Sequence, residues 1–265
     1  VMKITVFTSN QPRHISLIES LSKIADKVFA VQECNTIFPG EVDDFFKKSD
    51  VMQQYFSNVI NAEKEVFGSV RFLPNNVKSI AIKSGDLNRM ENGSLDEALD
   101  SDYYIVFGSS FIKGELIDFL VENKAINIHM GLSPYYRGSS CNFWALYDDK
   151  PDYVGATIHM LSKGLDSGPM LFHAIPMAEK VTPFVLGMKA VRAAHFGLVN
   201  TIENGIIFSI KSIQQDKDLE IRYTKNIDFN DKVASLYLES SHSKNDVYSA
   251  LLQRDSSVLL NPFIY

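Results

Sequence analysis

The 265-residue sequence predicts an α/β fold: a Rossmann-like, mostly parallel sheet flanked by helices, with a small C-terminal α+β appendage. Three observations predict it. Short β-branched runs alternate with segments of helical period. The stretch from Tyr103 to His129 reads as a complete strand, helix and strand. A hydrophobic content of 45% with 22% charged residues is the balance of a chain that can bury a sizeable core, which excludes a disordered or fibrous protein.

Lys3 to Thr8 (KITVFT) is a β-branched run followed by Ser9-Asn10-Gln11-Pro12 and then by Ile15, Ile18, Leu21 and Ile24 at near-helical spacing. That is strand, loop and helix. Val28 to Val31 repeats the strand signal, Val51 to Val66 has the character of a long helix, and Ser79 to Ile82 is a weaker strand. Successive βα units predict a parallel sheet. In the strongest unit Tyr103 to Phe107 is apolar, Gly108-Ser109-Ser110 breaks it, Glu115 to Glu122 is helical and Ala125 to His129 returns as a strand. A right-handed crossover puts both C-terminal strand ends on one edge, where open α/β sheets carry their ligand crevice. Tyr153 to Met160 alternates, Lys163-Gly164 punctuates and Met170 to Ile175 resumes, an antiparallel pair added to the sheet. Thr182-Pro183 then caps a long helix whose Leu186, Ala190, Ala194, Leu198 and Ile202 share one face. The main domain, residues 1–205, is expected to end near Gly205. Residues 206–265 are expected to form the appendage, with a strand at Leu219 to Tyr223, helices near Val233 to Leu238 and Asp246 to Leu252, and a role in homodimerisation.

Thirty-two acidic against 26 basic side chains leave a formal net charge of −6. No global basic field exists to hold nucleic acid, so any anionic ligand must be held locally. No apolar run reaches the roughly 20 residues of a membrane span, and no basic-then-apolar leader opens the chain. No membrane insertion and a cytoplasmic location are therefore expected. Cys34 and Cys141 are expected to be reduced, structurally ordinary thiols. Their spacing to each other and to the histidines is not that of a zinc site, and no metal is expected.

Asn127, Ile128 and His129 end the predicted central strand, and the period of two sends Asn127 and His129 to one face. An amide and an imidazole thus stand side by side at the ligand edge. Taken singly, a strand-end histidine is more often structural, and Asp166-Ser167-Gly168 is an ordinary turn. Together Ile126-Asn127-Ile128-His129, Pro134-x-x-Arg137-Gly138, Gly155-Ala156-Thr157-Ile158-His159 and Leu165-Asp166-Ser167-Gly168 occur in one order and spacing that resembles the folate-dependent formyltransferase family. The resemblance covers roughly Tyr103 to Glu203 and implies a formyltransferase fold for the main domain. It also implies transfer of a formyl group from 10-formyltetrahydrofolate to a primary amine, with Asn127, His129 and Asp166 as the catalytic trio. The chemistry of the residues fits: such an attack needs hydrogen-bond donors for a developing oxyanion and an acceptor for the proton shed by the amine.

The resemblance also implies a folate pocket at Phe107, Gly108, Ser109, Ser110, Phe111 and Ile112 and in the loop containing Leu161 and Gly164, largely through main-chain groups. Here the sequence departs from the family, reading Phe111-Ile112-Lys113 for the common Ile-Leu-Pro, and placing Met130, Gly131 and Ser133 in the loop after the histidine. The first strand-to-helix loop lacks a glycine-rich phosphate fingerprint, which argues against a dinucleotide cofactor. Asn10, Arg13 and His14 at that helix N-terminus are candidates for an acceptor phosphate. Tyr136, Arg137 and Tyr223 are further acceptor-side candidates, whereas His159 and His195 read as structural. The C-terminal stretch from Thr201 to Tyr265, with seven basic and nine acidic residues and a net charge of −2, is unlike the basic barrel expected of a methionyl-tRNA enzyme. By that elimination the acceptor is expected to be a nucleotide-linked amino sugar, such as TDP-4-amino-4,6-dideoxyglucose, for surface polysaccharide of the lipopolysaccharide O-antigen kind. The alternatives are a methionyl-tRNA or glycinamide ribonucleotide formyltransferase or, in another class, a non-catalytic folate or nucleotide-sugar binding protein.

Overall fold

The computed structural model describes residues 1–35, 45 and 48–265. Its strand β1 (Lys3–Thr8) is buried from Ile4 to Thr8, as a parallel strand covered on both faces must be. Helix α1 (Pro12–Ser22) starts with proline in its first turn and turns Ile15, Leu17, Ile18 and Leu21 inward. β2 (Lys27–Cys34) is followed by α2 (Asp50–Phe67), whose N-cap Ser49 accepts from the Met52 amide. β3 (Val77–Lys83) is exposed along most of its length, because it forms the edge of the sheet.

The predicted strand–helix–strand unit is present as β4 (Tyr103–Val106), α3 (Gly114–Glu122) and β5 (Ile126–Met130). Three-residue β6 (Tyr136–Gly138) and α4 (Cys141–Tyr147) follow, then β7 (Ala156–Met160), β8 (Met170–Ile175) and α5 (Pro183–Glu203). The expected strand from Tyr153 starts later, at Ala156, because Pro151–Tyr153 is a 3-10 turn. Thr182 caps α5, its hydroxyl oxygen accepting from the Val185 amide at 3.2 Å.

Beyond Glu203 the chain returns to the body it left. A strand expected at Leu219 to Tyr223 lies slightly further on, as β9 (Arg222–Thr224). Lys217–Leu219 is instead a 3-10 turn with Leu219 exposed. β9 pairs in parallel with β6, a strand the sequence reading treats as loop. Helices α6 (Asp231–Ser240) and α7 (Lys244–Leu252) bury Tyr237, Val247 and Leu251 in one cluster with Phe143 and Trp144 of α4. The final strand β10 (Phe263–Ile264) pairs in parallel with β8.

The eight-stranded sheet has the order β10-β8-β7-β5-β4-β1-β2-β3. All pairs are parallel except β5 with β7 and β7 with β8, the antiparallel addition expected from the sequence. Strand order reverses between β1 and β4, and loops leaving two strands in opposite directions open a crevice there. Among the described residues no helix is long and apolar enough to cross a membrane.

Gly138 shows how closely β6 and β9 approach. Its φ is +88°, and a Cβ there would stand 1.9 Å from the Thr224 carbonyl oxygen. Gly138→Ala is expected to lower stability by about 3 kcal/mol, toward the upper end of single-substitution effects. Gly187→Ala, at a helical position with no atom within 4 Å of the added carbon, is expected to be neutral or stabilising by up to about 1 kcal/mol. Urea midpoints of the two variants check both directions.

Candidate functional site

β4 stops at Val106, opposite Asn127, while β5 runs on to Met130. The space beyond the end of β4 is a cleft of about 350 Å³. Phe107 to Ile112 line one side and Leu161, Ser162, Gly164, Leu165 and Asp166 another, with Asn127 and His129 between them. All eight residues that the sequence assigns to folate therefore border one cavity, together with the three assigned to catalysis.

The catalytic candidates meet as the strand period requires. The Asn127 amide nitrogen donates to Asp166 Oδ1 at 3.0 Å, and His129 Nδ1 lies 3.3 Å from Asp166 Oδ2. Asp166 sits in the β7–β8 loop at φ +46°, a left-handed conformation that costs a non-glycine residue on the order of 1 kcal/mol or more. Two features hold it there. Gln215 donates to the main-chain oxygens of Asp166 (2.9 Å) and Gly168 (3.0 Å). Gly168 lets the loop press on the sheet, since a Cβ there would lie 1.7 Å from the Met160 oxygen.

Burial disfavours the charged form of His129, but the Asp166 carboxylate overrides it and the imidazole is pushed up to about 10. Burial likewise opposes ionisation of Asp166, and the facing His129 overrides it, holding the carboxyl far below the ordinary carboxylate range. The pair is thus imidazolium and carboxylate at neutral pH.

His159 is not merely structural. Paired opposite Asn127 in the β5–β7 register, it places Nε2 3.1 Å from the Asn127 amide nitrogen and Nδ1 2.9 Å from the Met160 oxygen. A carbonyl only accepts, so Nδ1 carries the proton and Nε2 accepts from Asn127. Both Asn127 hydrogens are consequently directed at protein groups. Donation to an oxyanion, as the sequence reading has it, requires one of these contacts to be exchanged.

Two further residues escaped the sequence reading. Glu33 at the end of β2 is 1% exposed, and its carboxylate accepts from the Ser110 amide and hydroxyl and from the Gly85 amide. It fixes the Gly108 to Ile112 segment from beneath. Cys141 is not an ordinary thiol: its sulfur lies 3.6 Å from His129 Nε2. Neither role has a local signal, because each depends on contacts between distant segments.

The acceptor-side candidates fare differently. Tyr136 is 1% exposed and donates to Asp148 at 3.1 Å, so it belongs to the core. His14 is buried as well: its Nδ1 accepts from the Gln11 amide at 3.2 Å, and its ring packs where a Cβ on Gly108 would fall. It closes the first turn of α1, and beside Arg13 it borders the cleft. Arg13 borders the cleft, with one guanidinium nitrogen 2.6 Å from both Gln11 Oε1 and the buried Glu63 carboxylate. Arg137 pairs with Glu220 at 3.1 Å outside the cleft lining, and exposed Tyr223 faces it across the β6–β9 register. Asn10 is likewise outside that lining. His195 is buried between Phe67 and Phe107, in keeping with a structural role. Among the described residues no group of three or more His, Cys, Asp and Glu side chains is arranged to hold a metal ion.

A model of the family described as formyl transferase matches residues 2–202. The methionyl-tRNA formyltransferase of Finegoldia magna is 31% identical over 122 residues, 43% of this chain and 38% of that protein. Its Clostridium tetani counterpart is 29% identical over 148 residues, 56% of this chain and 47% of that protein. The chain thus spans less than half the length of these curated relatives. Among solved structures, a 4-N formyltransferase from Francisella tularensis is similar at TM-score 0.53 and 18% identity, covering 86% of this chain and 78% of that one. The formyltransferase PseJ from Anoxybacillus kamchatkensis, in complex with UDP-4,6-dideoxy-4-formamido-L-AltNAc and tetrahydrofolate, is similar at 0.51 and 17%, covering 94% and 97%. Phosphoribosylglycinamide formyltransferase from Anaplasma phagocytophilum reaches 0.51 at 19%, covering 85% and 99%. At these identities the three structures establish a shared fold.

The ionised pair has a pH signature. His129 is raised above its usual 6.5, so its contribution to stability is full below that value and is lost as pH rises through about 10. Asp166 is lowered, so its contribution is full above its usual 3.8 and is lost as pH falls toward the depressed value. The urea midpoint of wild type minus that of Asp166→Asn is therefore expected to be largest between those usual values and to shrink toward about pH 10. A difference that stays flat over that alkaline range would count against the pair.

Proposed function

The chain belongs to the formyl transferase family, and from that premise we propose that it transfers a formyl group from 10-formyltetrahydrofolate to the primary amine of a nucleotide-linked amino sugar. The observation that carries this reading is the Asn127, His129 and Asp166 cluster at the mouth of a cleft bordered by strand-end main chain.

The cleft suits the donor. Val106, Phe107, Ile117 and Leu161 supply apolar walls, as a flat heteroaromatic ring requires. Among the described residues the amides of Gly108, Ser109, Phe111 and Ile112 have no partner, whereas that of Ser110 is held by Glu33. Free main-chain donors along one wall can read the polar edge of such a ring. When bound, 10-formyltetrahydrofolate supplies the formyl carbon as an electrophile. Asp166, kept ionised by His129, accepts the proton that the attacking amine sheds. His129 and Asn127 bring positive charge and polarised N–H groups to the side where negative charge grows.

The sugar-nucleotide acceptor draws support from the PseJ complex with UDP-4,6-dideoxy-4-formamido-L-AltNAc, which overlaps this chain along nearly all of both lengths. A methionyl-tRNA acceptor is the second reading, favoured by the curated relatives. Charge weighs against it. Arg137 and Arg222 are committed to Glu220 and Asp148, and among the described lysines and arginines only Arg13 borders the cleft, with part of its guanidinium uncommitted. One such cation suits a single phosphoryl contact better than a polyanion.

The full chain incubated with 10-formyltetrahydrofolate and, in parallel, TDP- and UDP-linked amino sugars, glycinamide ribonucleotide and charged initiator tRNA is expected to turn over a sugar. Turnover with tRNA alone would overturn this reading, and no turnover with any amine would favour a binding module. Asn127→Ala and His129→Ala are each expected to lower kcat by about 10²- to 10³-fold. Asp166→Asn should cost more than about tenfold, and activity retained above that level removes its assigned role.

A further inference from the structure

His129 is held at both ring nitrogens. Nδ1 faces the Asp166 carboxylate at 3.3 Å, and Nε2 faces the sulfur of Cys141 at 3.6 Å. Cys141 is 2% exposed and opens α4, directly after Ser140 at φ +54°. Its thiol donates to the Gly138 carbonyl at 3.4 Å. With the thiol hydrogen directed there, the sulfur lone pairs are left for the imidazole. Gly131 makes the contact possible: a Cβ at that position would stand 2.5 Å from Cys141 Cβ and 3.1 Å from His129 Nε2. The glycine that departs from the family's loop after the histidine is thus the clearance through which the sulfur reaches the ring.

We propose that Cys141 is a positioning residue for His129, its sulfur accepting the Nε2 hydrogen so that the ring is fixed in orientation and in its doubly protonated form while Asp166 holds the other edge. The inference rests on the formyl-transfer reading for its catalytic meaning, but the contact itself is independent of it. A neutral imidazole protonated at Nδ1 would present a bare Nε2, which the sulfur does not satisfy when its hydrogen is given to Gly138. The chain of contacts therefore matches imidazolium and not neutral imidazole. Besides Cys141, the titratable groups facing the ring are Asp166 from the β7–β8 loop and His159 of β7, with ring centroids 6.5 Å from His129 to His159. Neither is altered by changing α4. Burial lowers the His129 pKa, and the Asp166 carboxylate and, after it, the hydrogen bond that the ring gives to the Cys141 sulfur raise it.

The test is an NMR titration of the His129 imidazole in the full-length wild type, Cys141→Ala and Cys141→Ser, the resonance being assigned by its loss in His129→Gln. Cys141→Ala is expected to lower the midpoint by about half a unit or more, since an acceptor for the charged form is removed. Cys141→Ser, whose hydroxyl is the stronger acceptor, is expected to hold it at or above the wild-type value. A Cys141→Ala midpoint within about 0.1 unit of wild type overturns the proposal, that interval being small against the effect of a lost hydrogen bond. Should Cys141→Ala not fold, Cys141→Ser decides alone: a midpoint below wild type overturns the role. With an active acceptor in hand, the alkaline limb of kcat/KM should move in the same direction as the midpoint. Because the titration needs no turnover, a shifted midpoint in a chain that formylates no amine leaves Cys141 in place and refutes only the assigned reaction.

Discussion

The cleft depends on carrying one carboxylate, from a loop with little regular structure, onto the imidazole of β5. Asp166 and His129 are each largely buried, and an ion pair removed from water is favourable only when its geometry is good and its remaining valences are met. Here they are met. Asn127 holds one carboxylate oxygen, His129 the other, and His159 holds Asn127 in turn. Remove one member and a charge or a polar group is left buried without a partner, which costs more than the intact pair gains. The surrounding strands and glycines can be understood as what this closed set of contacts demands.

Close backbone approach is the first demand. Gly168 brings the aspartate loop against Met160, Gly131 admits the Cys141 sulfur to the ring, and Gly138 lets β6 lie against β9. The second is an anchor from outside. Gln215, beyond the last residue matched by the family model, holds the main chain of Asp166 and Gly168. The chain after Gly205 thus contributes to the geometry of the cleft as well as to the aromatic cluster behind α4.

This division explains what the sequence disclosed. β1, β2 and β4 are legible because covering a parallel strand on both faces demands an unbroken apolar run. The strand period sets Asn127 beside His129, whereas Asp166 was singled out only through the family resemblance; the structure brings the three side chains together. β6 was not legible and β9 only approximately so: each is three residues long and stabilised by the other across 86 positions. His159 could be seen as a strand residue, but its role needs the β5–β7 register that sets it opposite Asn127. Arg13 and Arg137 look like free cations in sequence because their partners, Glu63 and Glu220, lie 50 and 83 residues away. The burial of Tyr136 was hidden for a related reason, since burial of a polar side chain depends on what packs over it.

In the resting arrangement the N–H groups of Asn127 and His129 are all engaged, so any role as donor to a reacting oxygen requires an exchange of partners. The contacts are not equally hard to give up. Two of the acceptors are carboxylate oxygens, and charge-assisted bonds to them are the strong ones. The His159 nitrogen is held at 3.1 Å, whereas the Cys141 sulfur is a weak acceptor at 3.6 Å. Releasing the Nε2 hydrogen from sulfur to an incoming oxygen therefore costs least and leaves the Asp166 pair intact. A thiol at this position reconciles two needs that a carboxylate could not: as a weak acceptor it orients the imidazolium, and it yields the hydrogen to a better acceptor.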